Sequence, residues 1–170
     1  MIRSILLTLF CFLAMTVACS AQGQADSQRP PVYLRFPSVP PFSMTAASGK
    51  VFSNKDLKKN TPTLIFLFSV DCEHCMHETE DVIKHIDEFK GTQIVMITPF
   101  KYNDMMSFYK GYGISKYPNI TMGSDSTRRL NMFYDMHYFP GLYAYNSKNH
   151  IVFHFEGTVA ADSLAYYLKK

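Results

Sequence analysis

Cys72-Glu73-His74-Cys75 carries the most readable chemistry in this chain. Two thiols separated by two residues, directly after an apolar run and at the start of a helical pattern, suit the reversible making and breaking of a disulfide. A cysteine reacts as its thiolate, and a helix N-terminus offers a sulfur held there unpaired N–H groups and the positive end of the dipole. The first cysteine stands at the helix tip, where a partner can reach it. The second lies about one turn inside, shielded, where it can attack a mixed disulfide formed on the first. Cys72 is therefore the expected nucleophile and Cys75 the expected resolving thiol. A protonated His74 would stabilise the same thiolate that Glu73 and Asp71 oppose by like-charge repulsion. Glu73 and His74 are the expected tuners, and their balance bears on whether the pair reduces or oxidises.

Other uses of the pair have less support. As a cross-link, Cys72–Cys75 would close a loop of four residues, for which chain entropy gives about 2 kcal/mol before strain. As half of a zinc site, the C-x-x-C spacing needs two further ligands, and His77 offers one. Cysteine, histidine and methionine together suit Cu(I), and Met76, His77, His74 and the Met136-His137 pair raise the alternative of a copper-binding chaperone using Cys72, Cys75 and a histidine. The ten methionines are scattered, however, which fits packing better.

The elements that must hold the pair are legible in outline. Residues 63–70 (TLIFLFSV) form a continuous apolar run of strand length, the pattern of a strand covered on both faces. Residues 78–89 repeat apolar side chains at helical spacing through Val82, Ile83, Ile86 and Phe89, with Gly91 as a stop. Residues 93–98 (QIVMIT) are a second buried strand, and Asn103 is a candidate cap for a helix to Lys110. A short strand is expected over 119–122, a helix over 126–136, strands over 141–145 and 151–155, and a closing helix over 162–168. Ahead of these, residues 42–56 read as a hairpin turning at Ser48-Gly49-Lys50, with a helical turn at its end. Strands alternating with helices predict an α/β sandwich with a partly parallel sheet.

Residues 1–21 read as an export signal: Arg3, an apolar run from Ile5 to Ala18, then small residues. Cleavage after Ala21 would release the chain. Alternatively, Thr16-Val17-Ala18-Cys19 resembles a lipoprotein signal ending at Ala18, with Cys19 lipidated. Of the four cysteines, Cys11 and Cys19 fall in this region, which leaves Cys72 and Cys75 as the thiols of the mature domain. Residues 22–35 are expected to be a flexible linker and residues 36–170 one domain. Without Arg3 the chain has 16 basic and 14 acidic residues, interspersed, so a nucleic-acid partner is not expected. The predicted location is the periplasm or cell envelope, with a lipid anchor if Cys19 is modified.

With these residues in view, the chain resembles the thioredoxin superfamily, and most closely the TlpA/ResA branch of bacterial envelope thiol–disulfide oxidoreductases. The similarity covers roughly residues 36–170, through PPFSMTAASGKVFSNKDL, TLIFLFSVDCEHC, QIVMITPF, Phe139-Pro140-Gly141-Leu142 and IVFHFEG followed by DSLAYYL. It implies a thioredoxin-like three-layer sandwich: a central mixed sheet, an N-terminal hairpin extension and the C-x-x-C at a helix N-terminus. It also implies that Pro140 is cis, and that Phe139 and Pro140 pack against the redox pair and receive substrate. Glu78, three positions after Cys75, stands where the branch carries an acidic residue that assists proton transfer. A partly buried carboxyl there would titrate high and serve that role. Three features depart from the pattern: Val70-Asp71 replaces the usual aromatic before the first cysteine, the chain has no Trp, and Glu73-His74 is not an x-Pro pair. The P-x-x-x-T-x-x-C pattern of typical peroxiredoxins is absent. Copper-delivery proteins of this fold separate their cysteines by three residues, where this chain has two.

The resulting expectation is dithiol–disulfide exchange with envelope protein substrates, more in the direction of reduction than oxidation. No cofactor or resident metal is expected. A membrane thiol-reducing partner would supply electrons.

Overall fold

In the computed structural model, which describes residues 30–170, the strand β3 (Thr63–Leu67) decides the architecture. All five of its residues are buried. It pairs in parallel with β4 (Gln93–Thr98) and antiparallel with β6 (Gly141–Tyr145). Because side chains alternate across a strand, Leu64 and Phe66 enter one core, and Ile65 and Leu67 the other. The strand ends three residues short of the apolar run. Phe68 leaves the ladder, although its N–H still donates to the Ile97 carbonyl at 3.0 Å.

Four further strands flank these three. β1 (Ser43–Ala46) and β2 (Val51–Ser53) are the expected hairpin, and Gly49 takes a φ of +79° in its turn. A capping box between Ser53 and Asp56 sets the short 3-10 turn that follows. β5 (Ile120–Ser124) runs parallel to β4, and β7 (Ile151–Glu156) runs antiparallel to β6. The result is a mixed seven-stranded sheet in the order β2-β1-β5-β4-β3-β6-β7.

The helices form the outer layers. A single turn, α1 (Val32–Arg35), precedes the sheet. α2 (Glu73–Lys84), α3 (Tyr102–Gly111) and α5 (Ala161–Leu168) cover the Leu64–Phe66 face. α4 (Arg129–Phe133) covers the opposite face together with Val39, Phe42 and Met44. This is the predicted thioredoxin-like sandwich. Among the described residues, no helix is long and apolar enough to cross a membrane.

The structure corrects several boundaries. α2 opens at Glu73, at the C-x-x-C as expected, but it stops at Lys84, and Ile86–Phe89 is a separate 3-10 turn. α3 starts after Lys101 with no side-chain cap, so Asn103 lies inside it. α4 is shorter than expected because Arg128 and Asp135 take left-handed φ values of 56° and 52° at its ends. Within the stretch expected to be linker, Val32–Arg35 form α1, and the Tyr33 ring packs 5.9 Å from Tyr134 and 6.0 Å from Tyr143. The export signal and Cys19 lie outside the described residues.

Candidate active site

The loop after β3 and the first turn of α2 place the two thiols. Cys72 is the N-cap, with extended backbone, and its Sγ accepts the N–H of Cys75 at 3.3 Å. That bond is the usual service of a capping side chain, here performed by sulfur. Cys72 remains partly exposed, whereas Cys75 is 0 % exposed; both are free thiols. The Sγ of Cys75 accepts the N–H of Ser69 at 3.5 Å. Burial pushes the Cys75 thiol far up, and the neighbouring Cys72 adds to this while the Ser69 N–H opposes it. Cys75 is thus kept protonated in the dithiol form.

The segment before β6 closes the site from the other side. The Phe139–Pro140 peptide is cis, and the Phe139 carbonyl lies 3.8 Å from Cys72 Sγ. The Glu156 carboxylate accepts the N–H groups of His137 and Tyr138 at 2.9 and 2.7 Å, and the Gly157 N–H donates to the Pro140 carbonyl at 2.7 Å. Tyr138, 71 % exposed, stands next in the chain to Phe139.

Glu78 is buried as expected but points elsewhere. Its Oε2 accepts the Val159 N–H at 2.9 Å, its Oε1 is buried without a partner, and no hydrogen bond joins it to either thiol. Burial pushes its carboxyl up to about 7; the Val159 N–H opposes this and the Asp81 charge adds to it. One turn on, Asp81 accepts the Ala161 N–H at 2.8 Å and pairs with His85 at 3.0 Å. Two carboxyl groups of α2 therefore hold the segment leading into α5. A groove of about 320 Å³ runs between them and that segment, with His74 at its rim.

The two expected tuners lie on the exposed side of α2's first turn. Glu73 approaches His77 at 3.7 Å, and among the described residues neither Glu73 nor His74 hydrogen-bonds to a thiol. The copper alternative needs both cysteines and a histidine around one ion. Among the described residues, no group of three or more histidine, cysteine, aspartate or glutamate side chains is placed to hold a metal. Sequence reading missed the Ser69 N–H, the Glu156 anchor and Asp81. The first is a backbone group and carries no sequence signal. Asp81 carries a partial one, standing three residues after Glu78 on the same helix.

A family model described as AhpC/TSA matches residues 37–161. The chain belongs to the AhpC/TSA family. Within it, the fold is thioredoxin-like. A pneumococcal exposed lipoprotein thioredoxin (Etrx1) from Streptococcus pneumoniae superposes with a TM-score of 0.62 at 18 % identity, covering 76 % of this chain and 98 % of that one. A secreted Mycobacterium tuberculosis disulfide oxidoreductase gives 0.63 at 18 %, covering 75 % and 93 %. StoA from Bacillus subtilis gives 0.59 at 20 %, covering 77 % and 98 %. No curated protein sequence matches the chain.

Proposed function

We propose that this protein is a thiol–disulfide oxidoreductase acting on exported proteins, working in the reducing direction. The observation that carries the exchange chemistry is the asymmetry of the pair. One sulfur is reachable at a helix N-terminus beside the Phe139 carbonyl, and the other is wholly buried and held protonated one turn inside. The thiolate of Cys72 attacks a substrate disulfide, forming a Cys72–substrate bond and expelling one substrate thiolate. Cys75 then gives up its proton and attacks Cys72 Sγ, releasing the second substrate thiolate. The substrate gains two electrons and two protons, and the enzyme is left with a Cys72–Cys75 disulfide. A membrane thiol donor returns it to the dithiol.

Glu78, one turn along α2 from Cys75 and likewise buried, is the proposed proton acceptor for Cys75. Phe139 and Pro140 are the proposed substrate contacts, and Glu73 and His74 modulate the Cys72 thiolate. The proposed export signal over residues 1–21, with Cys19 as the alternative lipid site, directs the activity to the envelope, and the domain follows the linker. The test is capture in the native envelope. A Cys75→Ser variant should accumulate mixed disulfides through Cys72 that dithiothreitol releases, and a Cys72→Ser variant should not. If Cys75→Ser traps nothing and the wild type reduces no model disulfide, the exchange reading is wrong.

A further inference from the structure

The end of the sheet remote from Cys72 holds a second cavity, of about 310 Å³, at the small end of the range for ligand sites. It opens where β3 begins, at Thr63, and β3 alone puts about 13 Å between it and the loop that bears Cys72. No group of the redox pair lines it.

Its charge is one-signed. Lys58, Lys59 and Lys148 line it, and no carboxylate does. The acid nearest in sequence, Asp56, is turned back onto Ser53, accepting its N–H and hydroxyl at 2.8 Å each. Asn60, Thr61 and Asn149 add neutral polar groups to the wall. An oxyanion with several acceptor oxygens complements such a lining.

The walls are also fixed in advance. Gln93, itself buried, accepts the Lys58 N–H at 2.9 Å and donates to the Lys58 carbonyl at 3.0 Å and the Thr63 hydroxyl at 2.9 Å. That one side chain fixes the segment bearing two of the lysines. On the opposite wall, Asn146 Oδ1 accepts the Lys148 N–H at 3.0 Å, and Asn149 Oδ1 accepts the Val39 N–H at 3.2 Å. Asn60 and Asn149 hold left-handed φ values of 53° and 62° that turn the chain at the rim. The ordered backbone removes one entropy cost of binding and leaves the three exposed lysine side chains as the groups to be ordered.

We infer that this cavity is a binding site for a small, multiply charged oxyanion, separate from the thiol site. Inorganic pyrophosphate and citrate are the probes, followed by amide chemical shifts on the exported protein at low ionic strength. The expected result is saturable, localised shifts over residues 57–61 and 147–149 with at least one probe. Pyrophosphate alone would assign a phosphoanion, and citrate alone a carboxylate. The triple variant K58Q/K59Q/K148Q should weaken binding by about tenfold or more, whereas K58R/K59R/K148R should retain it. Matching amide spectra in the absence of probe show that both variants are folded. Disulfide exchange by both should stay at the wild-type rate. The inference is overturned if neither probe saturates, if shifts spread evenly over lysines elsewhere, or if the glutamine variant binds as the wild type does.

Discussion

Replacing Glu78 by glutamine should change how stability depends on pH, with a slope and sign fixed by the structure. In the folded protein the Glu78 carboxyl sits at 2 % exposure with one oxygen unpartnered, and it titrates near 7 against an ordinary value of 4.5. The native state therefore holds this proton more tightly than the unfolded chain does. Below about pH 4.5 both states are protonated and the advantage is complete. Between about 4.5 and 7 the unfolded chain releases the proton while the native state keeps it, so stability falls as pH rises. The interval corresponds to about 3 kcal/mol, after which the contribution is flat. The amide of Glu78→Gln cannot titrate, and its carbonyl can still accept the Val159 N–H. The amide nitrogen takes the unpartnered position, which adds a constant offset but no slope. Urea unfolding of wild type and Glu78→Gln from pH 4 to 8 isolates the site, because the other groups of the chain titrate alike in both proteins. The difference between the two unfolding free energies should shift by about 3 kcal/mol in favour of the variant across that range. Parallel curves would show that Glu78 titrates near its ordinary value and would remove the physical basis for a proton-accepting role.

Iodoacetamide on the reduced, folded protein should label Cys72 at least about tenfold faster than Cys75, because only the first sulfur is reachable and the second is held protonated. Equal labelling by mass spectrometry would remove the division of labour between the thiols. Gly123→Ala should destabilise by about 1–3 kcal/mol in urea melts, since a Cβ there would stand 2.6 Å from Met44 Sδ and 2.9 Å from the Thr45 carbonyl. The methionine tip can swing aside but the strand backbone cannot, so an unchanged midpoint would mean that β1 and β5 are less tightly paired than the register implies.

The sheet is legible in the sequence because three adjacent strands, β4, β3 and β6, are largely apolar on both faces and wholly buried. Periodicity fails where the inward face is polar. The first two turns of α2 bury Cys75, Glu78 and Thr79, so the repeat that marks a helix becomes visible only from Val82 onward. It also fails where backbone geometry sets the boundary. The left-handed residues Arg128 and Asp135 confine α4, and neither is a glycine that would announce it. Tyr33 lies in a stretch whose composition reads as tether, and only the rings of Tyr134 and Tyr143 explain why the chain orders there.

The candidate site shows the same division between side chains and backbone. Cys72, Cys75 and the Phe139-Pro140 segment can be picked out because each is a residue type at a telling position. The groups that differentiate the two sulfurs are largely main-chain: the Cys75 N–H on Cys72, the Ser69 N–H on Cys75 and the Phe139 carbonyl beside Cys72. Glu78 is found by its place, yet its polar contact runs to the Val159 N–H, while its neighbour Asp81 takes the Ala161 N–H. A carboxyl tied into the segment before α5 couples that segment to the helix bearing the thiols. Ionising Glu78 strengthens its acceptor oxygen while leaving a charge in a buried place. Any proton that Glu78 takes from Cys75 is therefore also a change in what holds α5 against α2, and catalysis and local stability should share one titration.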